Sequence, residues 1–314
     1  MGEGVKHYPI QFSIPTNRIL EGESDKEHCF SYISPGKTKY SFDSEDEYYR
    51  HYASCYFAVT MEKAGWDSMR HYEILGSGCV PYFLDLENCP DNTLFRLPKK
   101  LLMSVRDFPG MPSYEEVVDH VERDDLENLS FDWDKFDMDK YFELLDELKS
   151  HTRDHLTTKS MAKYFMDKLP YDLERVLVVS SPDEYGVDYQ RDSLITGLVE
   201  HGVEVYTTSD LWWMYEDLHW KQLRKIRRRF WGKGFTITQN ISSREQLKLL
   251  EDYNTEVFDV IIMSSSSNMG YDDDQVRYAV KHSAERIVWV DGNDIDGNHE
   301  IPPMCGITFR REVE

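Results

Sequence analysis

Residues 63–81 read Lys-Ala-Gly-Trp-Asp-Ser-Met-Arg-His-Tyr-Glu-Ile-Leu-Gly-Ser-Gly-Cys-Val-Pro. Arg70 and Glu73 are three apart, so a helix would set them side by side on one face. A guanidinium in that position can bind phosphate oxygens in a fork. A carboxylate one turn further on can accept hydrogen bonds from both hydroxyls of a ribose. The stretch begins just past an apolar run, which puts a helix N-terminus, with its unpaired N–H groups and positive dipole end, where a diphosphate would sit. Gly76 and Gly78 would let the following turn come close to a base or sugar. The same spacing also fits an ion pair on a helix surface, with glycines that merely cap, and spacing alone leaves both readings open.

The elements that must position these residues can be inferred from pattern. Asp43 or Ser44 caps a helix running to about Ser54, and Tyr56–Thr60 reads as a buried strand. A helix from Trp66 to Leu75 ends at Gly76-Ser77-Gly78, and the strand Cys79–Leu84 comes next. Short joints of this kind make a β-α-β unit with parallel strands. Residues 1–40 read as irregular and polar apart from an extended run at Tyr8–Ile14, and 113–170 read as polar helices. A second α/β pattern then starts. Strands are expected at Arg175–Ser180, Val203–Tyr206, Phe258–Met263 and Arg286–Val290, with helices at Arg191–His201 and Asp274–His282. The expected architecture is α/β with two Rossmann-like, doubly wound domains, residues 1–155 and 156–314.

The bulk numbers agree with a folded chain of that size. It has 314 residues, 40% hydrophobic and 30% charged, which is a globular balance. The formal charge is −22, which argues against a duplex nucleic acid as partner because phosphate rows need a basic surface. No apolar run is long enough to span a bilayer, and Met1–Lys6 lacks a signal-peptide pattern. Five cysteines without metal-ligand spacing read as reduced thiols, so the expected location is cytoplasmic.

The segment around Arg70 resembles the donor-binding signature of exostosin-like glycosyltransferases, a Gly-x-Asp/Ser-x-x-Arg-x-x-Glu helix followed by Gly-Cys-x-Pro. The likeness runs through Gly65, Asp67, Arg70, Glu73, Gly78, Cys79 and Pro81. It implies a GT-B fold, with two Rossmann-like domains facing a cleft and inversion at the anomeric carbon. It also implies a nucleotide-sugar donor (a UDP-sugar is expected), a glycan or glycoprotein acceptor, and no required cofactor or metal. By the same resemblance Arg70 contacts the donor diphosphate and Glu73 the ribose, while Lys63, Gly65, Trp66 and Asp67 line the donor side. The family places its acceptor-side domain first, whereas here the donor signature comes first. The ending Val290–Asp294 and Thr308–Glu312 is similar to the close of the family's first domain, and the opening Tyr8–Pro15 to the start of the family's next segment. By that resemblance the order implies a circular permutation. Soluble glycosyltransferases of large algal DNA viruses are similar, which would make the host cytoplasm the setting.

An inverting transfer needs one group to take the acceptor's proton and charge to steady the leaving diphosphate. Ligands bind at the carboxyl ends of strands in open α/β sheets. Asp188, after the first strand of the second half, is the first choice for base, and Asp294, after the last, the second. Each also fits a helix cap or a turn. Ser264, Ser265 and Arg310 are weaker phosphate candidates. Asp272-Asp273-Asp274 contains the Asp-x-Asp of metal-dependent transferases but reads better as the acidic first turn of a helix. The basic run Arg224–Arg229, near Trp212, Trp213, Trp220 and Trp231, fits either a solvated helix face or a platform for an anionic or glycan acceptor. The competing functional reading is a non-catalytic nucleotide- or glycan-binding module on the same fold.

Overall fold

A computed structural model describes residues 5–36, 42–180, 187–250, 257–265, 282–294 and 303–313. Strand β1 (Lys6–Pro9) comes first, then β2 (His28–Phe30), helix α1 (Glu45–Ala53), β3 (Cys55–Thr60), α2 (Met69–Gly76) and β4 (Val80–Phe83). Four helices come next: α3 (Lys99–Met103), α4 (Tyr114–Arg123), α5 (Met138–His151) and α6 (Thr158–Asp167). The remaining elements are β5 (Arg175–Ser180), α7 (Tyr189–Glu200), β6 (Glu204–Thr207), α8 (Trp220–Arg229), β7 (Leu247–Leu249), β8 (Val260–Ser265), β9 (Ile287–Asp291) and β10 (Ile307–Arg310).

These elements form two compact units, each with its own parallel sheet. The three-stranded unit comprises residues 16–89 and 96–156 and carries the sheet β2-β3-β4. The seven-stranded unit comprises 1–15, 90–95 and 157–314, with the order β1-β10-β9-β8-β5-β6-β7. The units thus divide between Leu156 and Thr157, whereas residues 1–15 and 90–95, read from sequence with the first domain, lie with the second. Main-chain pairing is the reason: Lys6–Pro9 add a parallel strand beside Ile307–Arg310, and Ile14 bridges to Thr157.

The seven-stranded sheet has the period-2 alternation that two covered faces require. Val176, Val178, Val260, Ile262, Val288 and Phe309 point to one side, where Phe165 of α6 and Leu194 and Leu198 of α7 meet them. Leu177, Val179, Ile261, Met263, Ile287 and Trp289 point to the other. Helices α6 and α7 approach closely at Gly197, where an added Cβ would lie 2.1 Å from the Thr158 carbonyl oxygen. In the three-stranded unit β3 is buried along its whole length. Phe57 packs there against Phe30, Phe131, Phe136 and Tyr141, and Phe131 stacks on Phe136 at 4.3 Å.

Three local differences from the sequence reading have physical causes. Helix α2 begins at Met69 and not at Trp66, because Ser68 is still extended (φ −125°, ψ 134°). Strand β2 lies in a stretch read as irregular: three residues paired to β3 are too few to show a period. Strand β7 is equally short and shows no period either. The expected helix at Asp274–His282 lies outside the described residues apart from His282.

Candidate functional site

Helix α2 is joined to β3 by the loop 61–68, so Lys63, Gly65, Trp66 and Asp67 sit just past the carboxyl end of a parallel strand. Ser68 occupies the N-cap position, and its hydroxyl makes no capping bond to the first turn. Arg70 is the second residue of that turn and Glu73 lies one turn on. Every residue of α2 is buried. Arg70 is 6% exposed, Glu73 7% and Asp67 3%. That burial rules out the surface ion pair that spacing had left open. Charged groups so deep in a protein are held by partners, because an isolated buried charge is costly.

Two tyrosines supply part of that support. The Tyr48 hydroxyl on α1 donates to Glu73 Oε2 at 2.6 Å, and the Tyr72 hydroxyl donates to Asp67 Oδ1 at 2.8 Å. Burial, with the Glu73 charge beside it, drives the Tyr48 phenol well above its ordinary value, so it stays a donor. His71, on the same turn as Arg70, bonds through Nδ1 with Thr60 Oγ1 at 3.0 Å and through Nε2 with the Trp66 carbonyl oxygen at 2.9 Å. Burial lowers its pKa to about 3, with Arg70 and Lys63 adding to the fall, so the ring is neutral and acts as a brace between β3 and the loop. Lys63 lies on an open loop, yet desolvation of its ammonium, then the nearby Arg70 charge, lowers it to about 8, with Glu73 opposing. Lys63, Arg70 and Glu73 thus share one electrostatic neighbourhood. Tyr48 and Tyr72 were not among the site residues expected from sequence. Tyr48 reaches Glu73 from another helix, and no spacing rule reports such a contact.

The seven-stranded unit gathers the remaining candidates at one sheet edge. Its chain runs outward from β5 to β6 and β7, then returns to the other side of β5 with β8 and β9, so the order reverses between β5 and β8. Such a reversal opens a crevice at the carboxyl ends of the strands. Asp188 lies beyond β5, Ser264 and Ser265 end β8, Asp294 lies beyond β9, and Arg310 ends β10. The register aligns Ser265 with Asp291 and Asp291 with Arg310.

Asp188 is the N-cap of α7: its Oδ1 accepts from the Arg191 amide at 2.9 Å, and the residue is buried. Beneath it Asp192 accepts from Arg191 Nε at 2.7 Å and from Trp213 Nε1 at 2.9 Å. Burial raises the Asp192 carboxyl to about 6 against the pull of Arg191. Asp294 is half exposed and pairs with Arg311. Arg311 is fully buried and donates from Nε and Nη2 to the Gly292 carbonyl oxygen at 3.1 and 2.9 Å. Its guanidinium lies 4.2 Å from the centre of the Phe12 ring. Paired arginines at the end of a strand gave no sign of which one turns inward. Asp291, also buried, accepts from Asn293 Nδ2 at 2.6 Å.

Neither a protein-family model nor a curated protein matches the chain. The Asp-x-Asp motif at Asp272–Asp274 lies outside the described residues. Among the described residues no group of three or more His, Cys, Asp or Glu side chains is arranged to hold a metal ion. No described helix is long and apolar enough to cross a membrane.

Proposed function

We propose that the chain is an inverting glycosyltransferase with two Rossmann-like domains of the GT-B kind, related to exostosin-like enzymes by a permuted domain order. It moves a sugar from a nucleotide-sugar, with uridine diphosphate as the expected carrier, to a glycan hydroxyl. The observation that carries this reading is the buried group at α2. Arg70, Glu73 and Asp67 lie buried on and just before the first turns of a helix whose N-cap Ser68 makes no side-chain cap bond, past the carboxyl end of a strand. A helix end of this type binds phosphate through backbone N–H groups, and a buried arginine adds a bidentate contact. Glu73, held by Tyr48, is poised to accept from ribose hydroxyls. The parallel pairing of β1 with β10 supports the permuted order, which requires the two end segments to meet in one sheet.

In the reaction the acceptor oxygen forms a bond to the anomeric carbon as the bond from that carbon to the diphosphate oxygen breaks. The acceptor's proton passes to a carboxylate, and the leaving diphosphate keeps the bonding electron pair. Arg70, Lys63 and the α2 N-terminus steady the charge that develops on it. Asp188 serves as base in the first instance and Asp294 in the second. A carboxylate has about four acceptor positions, so the cap bond to Arg191 leaves Asp188 with capacity for a proton.

Calorimetric titration with UDP, GDP and UDP-sugars, with and without magnesium, tests the donor site. Metal-independent binding that Arg70→Lys and Glu73→Gln weaken roughly ten- to a hundredfold, with melting temperature retained, is the expected result. Wild-type protein that binds none of these nucleotides would end the reading. The engagement of both Asp188 and Asp294 favours a second reading, a binding module without turnover. Asp188→Asn keeps a competent N-cap. Loss of sugar transfer in that variant at unchanged donor affinity separates an enzyme from a binder.

A further inference from the structure

Helix α8 turns Ile226 into the core of the seven-stranded unit and leaves Lys221, Arg224, Lys225, Arg227, Arg228 and Arg229 exposed. The chain carries 58 acidic residues against 36 lysines and arginines, yet among the described residues none of these six cations has an acidic partner. Lys221 lies over the Trp220 ring at 5.7 Å and Lys225 over Trp212 at 5.0 Å. Trp220 is 58% exposed and falls in line with Arg224 and Arg228, four and eight residues on. Indoles favour the boundary between headgroups and acyl chains.

We propose that the outward face of α8 docks the protein on an anionic lipid surface. At 3.6 residues per turn the six cations spread over roughly 200° of the helix circumference, along about 12 Å of length. A linear polyanion lying on the helix meets one stripe of such an arc. An anionic headgroup layer is a broad surface that long, flexible Lys and Arg side chains can reach from across the arc. The apolar side of α8 is used internally by Ile226, so attachment is electrostatic, with Trp220 as a shallow anchor. At physiological salt the screening length is about 8 Å, so the local patch governs docking in spite of the overall charge of −22. This inference is independent of the proposed transferase activity.

Co-sedimentation of the full chain with vesicles tests it, comparing phosphatidylcholine alone with phosphatidylcholine containing about one third phosphatidylserine. The expected result is binding to the anionic vesicles only, reversed by high salt. Replacing Arg224, Arg227 and Arg228 with serine should weaken it roughly a hundredfold, and Trp220→Ala by a smaller factor. These side chains are exposed, so the variants should keep the wild-type melting curve. Wild type that stays in the supernatant with anionic vesicles at low salt overturns the proposal. So does binding that survives the triple substitution, or retention on heparin or single-stranded RNA without vesicle binding.

Discussion

Tyr48 and Tyr72 each give a hydroxyl hydrogen to a buried carboxylate, and this fixes Glu73 and Asp67 as acceptors before any ligand arrives. Lys63 differs from both, since its pKa of about 8 lies within reach of ordinary buffers. A bound diphosphate favours the charged ammonium, so donor affinity should be level below pH 8 and fall as pH rises above it. Arg70 stays charged throughout and retains part of the binding. UDP titrations near pH 7 and pH 9 check this: Lys63→Met should bind more weakly at the lower pH and show no such fall. At this scale the sequence was informative about residue types and silent about depth. The three-residue step from Arg70 to Glu73 was visible, but it could not distinguish a solvated face from a helix buried all round. Burial depends on what α1 and α5 pack against, and those contacts are remote in sequence.

Among the elements, α6 and α7 offer the sharpest test of packing. Gly197 faces Thr158 and Ala162, and an added Cβ would lie 2.7 Å from the Ala162 Cβ as well as against the Thr158 carbonyl oxygen. Gly197→Ala should therefore push the helices apart at a cost of about 1–3 kcal/mol or more, despite alanine's better helix propensity. Chemical denaturation of the variant measures it, and an unchanged midpoint would contradict the close approach. Long strands with apolar runs were readable from pattern: Arg175–Ser180 is observed over its expected span, and the others shift by a residue or two. The start of α2 was misplaced because Trp66 and Asp67 are held in a loop outside the helix, where the His71 ring bonds to the Trp66 carbonyl oxygen. Strands β2 and β7 are recognised only by their neighbours.

At the scale of the molecule, residues 16–89 and 96–156 form one unit, while the other is assembled from residues on both sides of it. Strand β1 has β10 as its sheet neighbour. Removing residues 303–314 should strip β1 of its partner and expose β9 as an edge. The truncated chain should lose the cooperative unfolding of the seven-stranded unit, and circular dichroism melts would show this as a missing transition. A ribosome makes β1 long before β10, so the two cannot meet until every residue between them has been added. The three-stranded unit can close while the chain is still being made. Strand β1 must wait, soluble and unpaired, for some three hundred residues to emerge behind it. Its own composition suits that wait: Lys6 and His7 put a charged or polar side chain on each side of the strand, and Pro9 withholds an N–H from any stray edge.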